Sequence, residues 1–333
     1  SRTGTSSTIS VYPYSFTVTA EEDSYKVSED FDLTITAKNS SSTTTPNYSG
    51  DSTLTEDGVD GELSDTAILA SEFSSGVVSV SMNYNKYGTI SITATDDDSA
   101  FSGTSDEISF IPESFSVTVE TPPADRTKFY IKEPFQVIVS ALDYDSQVID
   151  NYTGSITITA TNSRYLIGLD SSYTFVATDE GSHNFTEVKS LLDASFTINV
   201  VDSSDNTITG SDAIDTMYGK LVAVSKAGTV GDITTEIKMV DRDGNIITQD
   251  NSTNLKICLT EEIVDSTATC DTEHDYTTLL QGKTVIKVKD MMAEKVTVTP
   301  LPEMDIFDVE EGVLTFGAIQ PGGTTIYQWR EVR

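Results

Sequence analysis

The chain has 333 residues, with 53 Asp and Glu against 20 Lys and Arg, for a net charge of −33. A surface this acidic excludes nucleic acid and anionic lipid as partners, since both are held through basic patches. The length suits two or three domains. Abundant Ser, Thr, Asp, Val, Ile and aromatic residues, without Ala-Leu-Glu-Lys runs at helical spacing, predict an all-β chain of strands joined by polar turns.

In chain order, the first phrase is Gly4-Thr5-Ser6, Ile9-Ser10 and Pro13, which returns as Gly103-Thr104-Ser105, Ile108-Ser109 and Pro112 at an offset of 99. Residues 1–13 therefore read as the tail of a preceding module or a linker, and the chain as part of a longer one. Ser1-Arg2-Thr3-Gly4 is not a signal peptide, and no run of 18 apolar residues is present. Export signals and any membrane anchor are expected outside this stretch.

The first module is expected over 14–112 and the second over 113–218. Phe31-Asp32-Leu33-Thr34-Ile35-Thr36-Ala37 and Phe135-Gln136-Val137-Ile138-Val139-Ser140-Ala141 both alternate apolar and polar residues, as half-buried strands do. Asn47-Tyr48-Ser49-Gly50 and Asn151-Tyr152-Thr153-Gly154 keep the same offset of 104. A constant offset across strand, loop and turn marks an internal repeat.

A third, divergent module is expected over 219–318, followed by a tail or linker over 319–333. Ile233, Ile237, Met239 and Asp241 fall 98 residues after Phe135, Val139, Ala141 and Asp143, but the Tyr-x-Gly element is missing. Asp243-Gly244-Asn245 reads as a hairpin turn, because Gly and Asn tolerate positive φ. Gly282-Lys283-Thr284 is likewise a hairpin turn rather than a phosphate loop, since Thr277 stands where the upstream glycine would be. The two cysteines, Cys258 and Cys270, flank 11 residues of this module. They are expected to form a disulfide on neighbouring strands, worth about 3 kcal/mol for so short a loop; buried reduced thiols are the alternative.

The second module resembles the bacterial immunoglobulin-like repeats found in tandem in large surface proteins, adhesins and invasin-like stalks. The resemblance is carried by Phe135 to Ala141, Asp143, Tyr152-Thr153-Gly154, Tyr173-Thr174-Phe175, Asp179 to Phe185 and Gly210-Ser211. It extends to the first module through Phe31 to Ala37, Tyr48-Ser49-Gly50 and Gly88 to Gly103. It implies three immunoglobulin-like β-sandwiches of seven to nine strands, strung end to end on an extracellular, cell-surface protein. It brings no catalytic residues.

Site chemistry is sparse. His183 and His274 are the only histidines, and His183 reads as a structural residue entering a strand. The carboxylate clusters Asp96-Asp97-Asp98, Asp202 with Asp205, and Asp241 with Asp243 are candidate calcium ligands near module ends, weighed against a plain solvated acidic surface. None has the full EF-hand pattern. Asn39, Asn47, Asn151, Asn184 and Asn251 head Asn-x-Ser/Thr triplets and are candidate glycosylation sites. Together these readings point to a non-catalytic stalk or adhesive segment. Its partners would be neighbouring immunoglobulin-like modules of the same chain and a host or cell-surface protein or glycan. The alternative is a set of carbohydrate- or protein-binding modules attached to a secreted enzyme, which would require exposed aromatics on one face.

Overall fold

The computed structural model describes residues 13–58, 61–99, 101–261, 272–290 and 292–318. Across them the chain forms three β-sandwiches in succession. Among the described residues the helical segments are single 3-10 turns, at Ala70–Glu72, Ser163–Tyr165 and Ala177–Asp179.

The alternation seen in the sequence builds the first sheet of each module. In Phe31–Lys38 the side chains of Phe31, Leu33, Ile35 and Ala37 are buried and Asp32 faces out, because successive residues of a strand point to opposite faces. This strand pairs antiparallel with Ser15–Ala20 on one side and Val77–Met82 on the other. At the repeat distance, Pro134–Leu142 buries Phe135, Val137, Val139 and Ala141 between Ser114–Val119 and Ser182–Ser190. Gly231–Val240 does the same between Lys220–Ala223 and Lys283–Asp290. A slip of one residue would turn each apolar row to solvent, so burial fixes the register.

The second sheet closes each sandwich. In the second module it runs Phe129–Tyr130, Thr209–Met217, Ser195–Asp202, Ser155–Ala160, Ser172–Thr174. Phe129–Tyr130 lies parallel to Thr209–Met217, so the opening stretch of the module contributes first to one sheet and then to the other. The same crossing occurs in the first module, where Ser24–Lys26 lies parallel to Ile108–Ile111. It recurs in the third, where Lys226–Thr229 lies parallel to Gly312–Gly317. Two packed sheets that share the chain in this way are the immunoglobulin-like arrangement.

Among the described residues the second and third modules have nine strands each, and the first has ten rather than the seven to nine expected. The excess arises because its last two long strands are broken. Gly88–Ile90 and Ile92–Asp96 flank Ser91, whose amide donates to the Asp57 carboxylate. Ser102–Thr104 and Ile108–Ile111 flank Ser105, whose hydroxyl accepts the Ile92 amide. Side chains take these two ladder amides, and the pairing lapses there.

Apolar packing does not stop at the module ends. One cluster of buried residues runs from Phe16 in the first module to Ile214 in the second, with Tyr87 packed against it. Tyr130 of the second module belongs to the core of the third.

Candidate functional site at the module junctions

Each module has an upper end, formed by the loops at 39–50, 143–154 and 241–252; the lower end of the first module meets the second, and that of the second meets the third. The two turns predicted in the third module are present, with Gly244 and both Gln281 and Gly282 at positive φ.

In the first two modules the Tyr-x-Gly element makes a clasp at the upper end. The Tyr48 hydroxyl donates to Asp96 at 2.7 Å, and the Tyr152 hydroxyl donates to Asp202 at 2.6 Å. Each tyrosine folds back over its glycine: a Cβ on Gly50 or Gly154 would lie within 2.7 Å of the tyrosine hydroxyl. The glycine is therefore set by close approach rather than by backbone conformation. Burial, and then the carboxylate hydrogen bond, push both phenols above their ordinary pKa. For Asp202, burial alone would raise the pKa. Donors from Ser204, Tyr152 and the Asp205 amide outweigh it and hold the carboxyl below the usual range.

The upper end of the second module receives the lower end of the first. Asn151 clamps one residue of the first module by its backbone, accepting the Tyr87 amide at 3.0 Å and donating to the Tyr87 carbonyl at 2.8 Å. The Tyr87 ring meets the Tyr152 ring edge-on, 4.9 Å between centroids. Burial, with the Asp202 charge behind it, raises the Tyr87 pKa. The Ser28 hydroxyl donates to Asp143, and the Tyr144 amide donates to the Val27 carbonyl. Charge is complementary here: Lys86 pairs with Asp150 at 2.6 Å, and hydrogen bonds from Thr207, with the Lys26 charge behind them, hold the Asp205 carboxyl below its usual range. Residues 14–112 hold three basic side chains against eighteen acidic ones, and two of the three are at this contact.

The second junction uses the same faces with a changed pairing. Asp250 stands 98 residues after Tyr152, at the place where the third module lacks its tyrosine. It is fully buried and accepts the hydroxyl of Tyr130, from the second module, at 2.7 Å. The Tyr130 ring lies edge-on to Phe307 of the third module and beneath the Arg126 guanidinium. Arg126 makes a buried two-point salt bridge to Glu133, at 2.7 and 2.8 Å, and Glu133 also accepts the Tyr130 amide. Arg242 pairs with Asp193 and covers the Tyr218 ring.

The calcium candidates are thereby placed individually. Both oxygens of Asp96 and of Asp202 accept protein donors, Asp97 accepts Thr53, and Asp205 accepts Thr207. Asp241 accepts the amides of Asp243 and Asn245 as the first residue of its turn, while Asp98 lines the cleft at the upper end of the first module. Among the described residues no three His, Cys, Asp or Glu side chains converge on a metal position.

The glycosylation candidates divide. Asn151 has both amide atoms committed to Tyr87 and is a junction residue instead. Asn184 donates to Gln136, and Asn251 is bonded to Gln249 and Gln281. Asn39 accepts two amides of its own turn, and Asn47 is exposed. Cys258 is buried on Asn254–Glu261, whereas Cys270 lies outside the described residues. His183 stacks on Tyr173 at 3.7 Å and shares Asp179 with it, a side cluster away from the junctions.

These features define an array of stacked immunoglobulin-like β-sandwiches. No protein-family profile and no curated protein matches the sequence. Solved structures that match include the Escherichia coli adhesin FdeC, at 14% identity over 91% of this chain and 97% of that one, with a TM-score of 0.41. Yersinia pseudotuberculosis InvD matches at 14% identity over 91% and 98%, with a TM-score of 0.32. Invasin, a bacterial integrin-binding protein, matches at 11% identity over 91% and 60%, with a TM-score of 0.36. At overlaps this loose, the fold assignment rests on the sheet order and register of this chain itself.

Proposed function

We infer that the chain is a stiff, non-catalytic spacer of an extracellular prokaryotic surface protein, holding a binding end away from the cell or forming part of a surface fibre. One observation carries this reading: both junctions are closed by directional contacts, half-buried at the first and buried at the second, rather than left as free linkers. The backbone clamp of Asn151 on Tyr87 and the Tyr130–Asp250 bond each fix one module against the next. The acidic surface adds to stiffness, since like charge along the sides opposes lateral folding. The reading as glycan-binding modules gains less support. Tyr48, Tyr84, Tyr130 and Tyr152 are core residues, and among the described residues the exposed tyrosines Tyr14 and Tyr144 lie at module ends rather than on one sheet face.

Small-angle scattering tests the spacer. Strands of about ten residues at roughly 3.3 Å each give a rod on the order of 100 Å for three modules. The profile is expected to be that of a rod and to be unchanged by a chelator, because the carboxylates of Asp96 and Asp202 are already filled by protein donors. A compact profile, or modules tumbling independently, overturns the reading.

A further inference from the structure

The upper ends of the second and third modules are both occupied, and the upper end of the first is built in the same way. The chain enters it by the same backbone bond, Tyr14 amide to Lys38 carbonyl at 2.7 Å, that Glu113 makes to Leu142 at 2.9 Å where the second module begins. Its loop turns on Asn39 as the second turns on Asp143. Asn47 stands where Asn151 stands, exposed, and Tyr48 stands where Tyr152 stands, with its clasp to Asp96 closed. Between them lies an open cleft of about 390 Å³ lined by Pro13, Asn47, Tyr48, Gly50, Asp96 and Asp98.

We propose that this cleft is a docking seat for the lower end of another immunoglobulin-like module of the same kind. The occupant is specified by the junction already seen. It presents a backbone N–H and C=O pair to Asn47, as Tyr87 does to Asn151. It sets an aromatic ring edge-on against Tyr48, as Tyr87 does against Tyr152. It also carries a lysine toward the acidic loop of Asp96 and Asp98, as Lys26 approaches Asp205, whereas Pro46 stands where Asp150 stands and leaves no partner for a lysine like Lys86. The short Ile111-Pro112-Glu113 connection is matched by Pro13-Tyr14, so a module joined directly ahead of Pro13 is held over the seat. The repeat of the module-closing phrase at residues 4–13 puts the end of such a module in that place in the sequence.

The proposal rests on the spacer reading and is tested separately from it. In a chain with residues 14–112 repeated once, Pro112 precedes a second Tyr14 and a lower end is delivered to the seat. Hydrogen exchange then follows the Tyr87 amide in each copy. The outer Tyr87 is expected to be protected like the inner one, and the scattering envelope to lengthen by about 35–40 Å without added flexibility. Asn47→Ala in the inner copy is expected to strip protection from the outer Tyr87 alone. Protected Leu33 and Ile35 amides in both copies report that each has folded. An outer Tyr87 that exchanges freely beside a protected inner one overturns the seat and leaves the spacer standing. Free exchange at both overturns the spacer itself.

Discussion

The Tyr130 hydroxyl of the second module donates to the buried Asp250 carboxylate of the third at 2.7 Å. In the first two modules the corresponding tyrosine–aspartate bond stays within one module, Tyr48 to Asp96 and Tyr152 to Asp202. The third module has replaced its own tyrosine with the acceptor and takes the donor from its neighbour, so a bond that elsewhere closes a loop here joins two domains. Asp250 also accepts the amides of Ser252 and Thr253 and the Thr253 hydroxyl. Tyr130→Phe leaves those donors and removes the inter-module one. Depriving a buried carboxylate of a donor costs about 1–3 kcal/mol. The expected result is a lower urea midpoint for the third module and a wider angular spread between the second and third, with the first junction unchanged. A double-mutant cycle with Asp250→Asn isolates the pair.

Asn151→Ala removes two hydrogen bonds to the Tyr87 backbone. At about 1 kcal/mol each, local opening at Tyr87 becomes on the order of thirtyfold more frequent. Native-state hydrogen exchange reads this at the Tyr87 amide, while amides of Phe31–Lys38 are expected to keep their protection.

Gly154→Ala places a methyl against the Tyr152 ring, and Gly50→Ala does the same to Tyr48. Overpacking of this kind costs about 1–3 kcal/mol. Gly154→Ala is expected to lower the melting temperature and also loosen the first junction, because Tyr152 touches Tyr87. Gly50→Ala is expected to destabilise the first module without affecting either junction.

Alkaline titration has a definite sign. Burial, with a neighbouring carboxylate, holds the phenols of Tyr48, Tyr130 and Tyr152 above their ordinary range, and pushes Tyr84 up to about 12. A pKa raised by folding means that the unfolded chain loses the proton first. The stability from these groups is thus complete below pH of about 10 and declines as pH rises beyond it. Tyrosinate absorbance is expected to rise gradually for exposed residues and then in one cooperative step that coincides with loss of the β circular-dichroism signal. Titration of all 14 tyrosines in a single smooth wave before unfolding contradicts it.

Thiol titration of the denatured, unreduced chain is expected to find no free cysteine, with Cys258 paired to Cys270. Reduction is then expected to cost the third module about 3 kcal/mol, the loop-closure value for a short loop. Two reactive thiols contradict the pairing.

The sequence by itself determined the repeat and the facing of the strands. Period-two alternation is a local signal, so Phe31 to Ala37 and Phe135 to Ala141 show which residues turn inward without reference to anything distant. The Tyr-x-Gly phrase was equally visible, and so was its loss in the third module. Its meaning was not, because the partners of Tyr152 are Asp202 and Tyr87, remote in sequence on either side. Nor could spacing separate Asn151, whose amide is consumed at a junction, from Asn47, which heads the same triplet and stands open. Likewise the Asp96 and Asp202 clusters read as loose carboxylates until their donors were placed around them. Only the tertiary structure decided these roles. A hydrogen bond depends on where separate loops converge, and that convergence is set by two sheets packing and by one module seating on the next.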